Sequence, residues 1–371
     1  MNEYGIAVLR ALLFPSTEGK PGMRPRRDRR DRRQFPACCS RSALETLCVY
    51  GRVFAPGGVH HAGEGQPWRS SQVPYQFHTL DVFTADRFAG NQLAVVMEAS
   101  SLTSVQMQAI AREFAYSETV FVVPPENPAH SARIRIFTPG LELPFAGHPT
   151  IGTAVLFADL QSRSLPGTED AIIVLEEPIG VIRVGVRCKP GEAAYAEFDV
   201  PKLPEPQSAP VSLDRMADAL GLSPGEIGFE NHRPTRYSAG VPYAFVPVRG
   251  LETIARARMI PPYWDSAFGI HGAYLYCRET VHTTASFHAR MFAPDLIGED
   301  PATGSAAAAF AAVVHRFDQI KDGSRRLLIE QGYEMGRPSQ ITLELTVAAG
   351  QLRQVRVGGR AVRVSSGTIE V

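Results

Sequence analysis

No apolar run in this chain approaches the roughly 20 residues that a bilayer-spanning helix needs, and no convincing signal-peptide pattern is present. The expected compartment is therefore the cytoplasm, with no membrane partner. Cysteine is scarce. Cys38, Cys39, Cys48, Cys188 and Cys277 form no CxxC pair and no Cys/His ligand spacing, so neither a disulfide framework nor a zinc site is supported. P-loop, GxGxxG, HExxH and nucleophile-elbow motifs are missing as well. Net charge is also lacking, with 38 Lys+Arg against 38 Asp+Glu. The balance is uneven: residues 1–74 hold 12 basic and 6 acidic residues, which leaves 26 and 32 for residues 75–371. A mildly acidic body argues against nucleic acid as the main partner, because phosphate binding needs clustered cations.

The excess of positive charge belongs to an N-terminal stretch unlike the rest. RPRRDRRDRR (24–33) is followed by short patternless segments rich in Gly, Pro, Arg and Ser. Residues 1–74 read as a disordered basic extension. A nucleic-acid-binding or targeting role competes there with a solvated tail or a start codon assigned too far upstream. The remaining residues suffice for two packed lobes.

Order is expected from about Pro74. FHTLDVF (77–83) and QLAVVME (92–98) alternate as strands around the turn ADRFAGN (85–91). Residues 101–115 carry Leu102, Val105, Ala109, Ile110 and Phe114 at helical spacing, with Ser101 as N-cap. Residues 117–125 and 133–139 read as strands and 149–160 as a helix; 181–187 and 194–200 read as a hairpin about Lys-Pro-Gly. Further on, 212–220 and 305–316 suit helices, and 242–248, 284–292, 340–347 and 353–357 suit strands. The fold class is α+β, with a sheet wrapped around a helix in each of two lobes.

One block occurs twice. RIFTPGLELPFAGHPTIG (135–152) aligns with RMFAPDLIGEDPATGSAA (290–307). The starts match at an offset of 155 (Phe137 with Phe292) and the tails at 157 (Glu142 with Glu299, Gly147 with Gly304, His148 with Ser305). A repeat at this spacing predicts two similar lobes. Each copy ends in a helix start, so two helix N-termini would face one cleft and favour an anion there. Gly147 permits close backbone approach; Pro149 suits a first helical turn; His148 beside it would be held neutral, or simply cap the turn. Thr303, Gly304 and Ser305 can form an anion seat, with Asp300 as acid, base or orienter, or as an ordinary cap. Recurrence of Glu, Pro and Gly in register favours a functional reading of both copies. Glu118, before the apolar run VFVV, is either a surface strand residue or a desolvated carboxylate able to exchange protons. Asn91 follows a glycine and usually would be a turn residue. Arg337, in QGYEMGRPS (331–339), would meet a substrate or hold its loop.

Together FHTLDVFTADRFAGNQLAVV (77–96), SETVFV (117–122), ELPFAGHPT (142–150), EDPATGSA (299–306) and QGYEMGRPSQI (331–341) resemble the PhzF-like phenazine biosynthesis family, in family order over residues 75–371. The resemblance implies a diaminopimelate epimerase-like fold: two pseudo-symmetric lobes, each a mixed barrel-like sheet around a central helix, with the active site between them. It implies lobes of 75–190 with about 361–371, and of 191–360. It makes Glu118 the base and acid, assigns His148, Asp300 and Ser305 to proton handling and carboxylate binding, and implies a homodimer and isomerisation of a dihydro-hydroxyanthranilate without cofactor. Two departures stand out. The paired cysteines of the related epimerases have no counterpart in these turns, and Gln92 stands where the family usually has Pro.

The expected function is a cofactor-independent isomerase acting on a small carboxylate. Glu118, His148 and Asp300 would be catalytic; Gly147, Gly304, Ser305, Thr303 and Asn91 would bind substrate; no metal is expected. The alternatives are a two-base epimerase or racemase of an amino or hydroxy acid, and a non-catalytic interaction protein on the same scaffold.

Overall fold

A computed structural model describes residues 74–164, 170–208, 212–269, 272–293 and 298–371. The basic run at 24–33 and Cys38, Cys39 and Cys48 lie outside the described residues. Through the first half run β1 (Tyr75–Val82), β2 (Asn91–Val96), α1 (Ser104–Phe114), β3 (Glu118–Val123), β4 (Ala132–Phe137), β5 (Glu142–Leu143), α2 (Gly147–Ser164), β6 (Asp170–Glu177), β7 (Gly180–Arg187) and β8 (Ala194–Asp199). Then follow β9 (Glu205–Pro206), α3 (Leu213–Leu220), β10 (Thr235–Ser238), β11 (Pro242–Pro247), α4 (Leu251–Arg256), α5 (Pro261–Ala267), β12 (Gly272–Cys277), β13 (Phe287–Ala293), β14 (Gly298–Asp300), α6 (Gly304–Phe317), β15 (Gly323–Gln331), β16 (Ser339–Ala348) and β17 (Gln351–Ile369).

The pairings repeat element by element. β1–β2 and β10–β11 are antiparallel; β2–β3 and β11–β12 are parallel across helical crossovers. β4 pairs with β5 and, in parallel, with β6, as β13 pairs with β14 and β15. β6–β7–β8 matches β15–β16–β17. The first ring closes when β17 pairs with β8 through Arg356–Ala361 and with β1 through Ala361–Ile369. Closure removes exposed strand edges. In the second lobe, the chain leaving β8 returns as β9 to pair with β10.

Each sheet wraps a helix whose composition suits an interior. Ala306–Val314 of α6 are buried on every side, as befits a helix apolar all round. In α2, Ile151, Ala154, Val155, Leu156 and Ala158 are buried. Gly152 is required by closeness: a Cβ there would lie 2.5 Å from Leu93 Cδ2 and 2.7 Å from Val82 Cγ2. Burying a large aliphatic such as Leu93, Val120 or Ile134 stabilises the first ring by roughly 1.5–3 kcal/mol each.

One reading of the sequence changes here. Thr103, not Ser101, caps α1, in a capping box whose Gln106 side chain answers the Thr103 N–H. The glutamates that recur in register are structural. Arg135 Nε and Nη2 donate to both Glu142 oxygens at 2.7 Å, and Arg290 Nε and Nη2 donate to both Glu299 oxygens at 2.8 and 2.9 Å. Each bidentate pair ties a short outer strand (β5 or β14) to its neighbour (β4 or β13) just ahead of a helix start.

Candidate active site

The N-termini of α2 and α6 abut. A Cβ on Gly147 would lie 3.2 Å from Gly304 Cα and 3.4 Å from Ser305 N, so a larger residue there would be tight against the second helix start. The leading N–H groups of a helix have no intrahelical partners, and no side chain caps α6. Two positive helix ends placed together repel unless an anion lies between them. Phe83, held at φ 63°, backs this junction with its ring against Gly304.

Asn91 links the lobes at the centre. Its amide donates to Asp300 Oδ1 at 2.8 Å and to the Ala302 carbonyl at 2.9 Å, and lies 3.3 Å from His148 Nδ1. Asp300 also accepts from Thr303 Oγ1 at 2.6 Å and Ser117 Oγ at 3.3 Å. Burial raises its carboxyl to about 6, with these donors opposing the rise. Glu118 opens β3, and its Oε2 sits 3.4 Å from His148 Nε2. Both atoms are buried without a hydrogen-bond partner. Burial, and then the charge of Asp300, push Glu118 well above the usual carboxylate range. Burial likewise depresses His148 to about 3 despite the Gln92 backbone, which keeps the imidazole neutral. The site thus presents an acid–base pair with unused valences beside two sets of amide donors.

A scan of family models matches residues 80–367 to the phenazine biosynthesis-like PhzC-PhzF family. The chain belongs to that family. It is 53% identical over 296 residues to an uncharacterized isomerase of Mesorhizobium japonicum, covering 78% of this chain and 96% of the relative. It is 34% identical over 297 residues to the trans-2,3-dihydro-3-hydroxyanthranilate isomerase of Pseudomonas chlororaphis, covering 80% and 99%. A PhzF-family crystal structure from Bacillus anthracis superposes with a TM-score of 0.72 at 25% identity, covering 80% of this chain and 99% of that one. The fold is diaminopimelate epimerase-like, and the chain is a PhzF-like isomerase.

In this PhzF-like enzyme, the residues picked from sequence gather at one place: Asn91, Glu118, Gly147, His148, Asp300, Thr303, Gly304 and Ser305. The Thr303 hydroxyl faces inward, donating to Asp300 and accepting from Gln331 Nε2 at 3.1 Å. Arg337 holds its loop rather than lining the seats. It donates to Asp81 Oδ1 at 2.6 Å and to the Ala89 and Gly90 carbonyls at 2.6 and 2.7 Å, fixing the turn that carries Asn91. Cys188 and Cys277 are free thiols; Cys277 Sγ contacts the Glu279 carbonyl, away from both seats. Among the described residues, no group of three His, Cys, Asp or Glu is arranged to hold a metal, and no helix is long and apolar enough to cross a membrane.

Sequence reading missed Gln331, Tyr243 and Glu177. Gln331 Nε2 donates to the Asp300 carbonyl at 2.7 Å and its Oε1 accepts from Thr303 N at 3.2 Å, bracing the turn before α6. Glu177 ends β6 with its Oε1 2.7 Å from Thr150 Oγ1 in the first turn of α2. Burial raises that carboxyl from an ordinary 4.5 to about 8. With the folded pKa raised, the unfolded chain loses its proton first as pH climbs, so this contribution is lost between about 4.5 and 8. Glu177→Gln should therefore melt close to the wild type near pH 4.5 and above it at pH 8, by an increment on the order of a few kcal/mol. Melting curves across that range check it; parallel curves for the two proteins would contradict it.

Proposed function

We propose that the protein moves a proton between two carbons of a small, ring-shaped carboxylate, on one face, with Glu118 as the only shuttling group. The observation that carries this reading is Glu118 Oε2 and His148 Nε2, buried, unpartnered and 3.4 Å apart, next to the abutting N-termini at Gly147 and Gly304. The amides there, which have no intrahelical partners, would hold the carboxylate and stabilise the anion or dienol that develops as the C–H bond breaks. Neutral His148 would orient the substrate and accept or donate one hydrogen bond. Asp300 would fix the site and keep Glu118 basic. Its three donors leave it poorly placed to serve as a second base, which favours isomerisation over racemisation, since inversion needs an acid on the opposite face.

The first compound to test is trans-2,3-dihydro-3-hydroxyanthranilate, the substrate in the name of the Pseudomonas chlororaphis relative. Turnover in D2O should give a product with a displaced double bond and carbon-bound deuterium. Loss of optical rotation with the double bonds in place would instead establish an epimerase. The proposal includes a cytoplasmic homodimer of two-lobed protomers, divided as 75–190 with about 361–371, and 191–360.

A further inference from the structure

The two helix starts are built alike beyond their glycines. The second residue of α2 is His148, and a side chain from the start of β2, Asn91, reaches its ring at 3.3 Å. The second residue of α6 is Ser305, and a side chain from the start of β11, Tyr243, reaches its hydroxyl, with Tyr243 Oη 2.7 Å from Ser305 Oγ. β2 and β11 occupy matching places, each antiparallel to the strand before it and parallel to the strand after its helical crossover.

We propose that Tyr243 is a positioning residue that aims the Ser305 hydroxyl proton at the substrate's carboxylate. The inference rests on the reading of the two helix starts as a carboxylate seat. A serine hydroxyl turns freely and offers one donor and two lone pairs. A phenol is the stronger donor of the two, so the 2.7 Å contact is best made with Tyr243 donating to Ser305 Oγ. The serine proton is then left for an acceptor on the other side, where Ser305 is half-buried at the junction with Gly147. Successive hydroxyls in a dry site polarise one another and strengthen the final bond to an anion. Tyr243 is itself only 7% exposed. Burial, together with the negative charges of Asp300 and Glu118, raises its phenol and keeps it protonated as a donor.

The test compares 3-hydroxyanthranilate, a flat ring with a carboxylate, and 2-aminophenol, the same ring without it. Each is titrated calorimetrically into wild type, Tyr243→Phe, Ser305→Ala and the double variant. Tyr243→Phe should weaken 3-hydroxyanthranilate by about tenfold, the weight of one hydrogen bond to a charged group. Ser305→Ala should weaken it at least as much, and the double variant no more than Ser305→Ala alone. 2-Aminophenol should bind all four proteins alike. Full affinity in Tyr243→Phe beside a weakened Ser305→Ala, losses that multiply in the double variant, or equal losses for both ligands would overturn the role of Tyr243. An unchanged Ser305→Ala, or a wild type that does not bind 3-hydroxyanthranilate, would remove the carboxylate seat and this inference with it.

Discussion

Replacing Glu118 with Gln is expected to lower kcat/KM by about 10³–10⁴-fold, toward the upper end for loss of a positioned acid–base group. Solvent deuterium should no longer enter the substrate or product. Folding should be intact, because the carboxyl that is removed is a buried one with an unpartnered Oε2. Burial already holds Glu118 well above the usual carboxylate range, so a neutral amide of the same shape removes a destabilising charge. Mass spectrometry of product formed in D2O, with a melting curve on the same sample, checks both halves. Retained exchange in a folded Glu118→Gln protein would dismiss the one-base mechanism.

Asp300→Asn is expected to cost about 10²–10³-fold in kcat/KM and to move the acidic limb of the pH profile. In the wild type Glu118 must be ionised to take a proton, so activity should rise with pH through its raised pKa, at a midpoint well above 4.5. The negative charge of Asp300 is one of the two causes of that rise. Removing it lets Glu118 ionise more easily, and the limb should shift to lower pH. The loss of rate has a separate origin. The Asn amide can still accept from Asn91, but its NH2 faces the Thr303 hydroxyl that Asp300 Oδ2 accepts at 2.6 Å, so the turn before α6 must readjust. Asp300→Ala goes further, leaving the buried donors of Asn91 and Thr303 unanswered, and should lower stability by about 2–4 kcal/mol. Steady-state rates from pH 4 to 9 and denaturant titrations measure these effects. An unmoved limb in Asp300→Asn would show that the two carboxylates do not sense each other.

The doubled block was legible in the sequence because a duplicated strand–turn–helix start leaves Phe, Pro and Gly in register, and those residues carry the geometry locally. Gly147 and Gly304 belong to that signal, and they lie against each other, with the Phe83 ring also against Gly304. The glutamates of that register, Glu142 and Glu299, serve structure, since their bidentate arginines lie on the neighbouring strands and depend on antiparallel pairing. Asn91 looked like a turn residue because its partners, Asp300 and Ala302, lie more than 200 residues away in the chain. Tyr243, Gln331 and Glu177 were hidden for a similar cause. Each sits at or near the end of a strand, and its role comes from the helix start that the barrel brings beside it. Matching β2 with β11 as the second strands of the repeated unit would have drawn attention to the start of β11 once Asn91 was suspected.

The sharpest probe of the shared-cleft account is the fate of the migrating hydrogen. Substrate carrying deuterium at the carbon that loses its proton is turned over in ordinary water, and the product is read by NMR. A single glutamate enclosed in a water-poor cleft should return part of that deuterium to the receiving carbon on the same face. Product with no retained label, or with label on the opposite face, would contradict it.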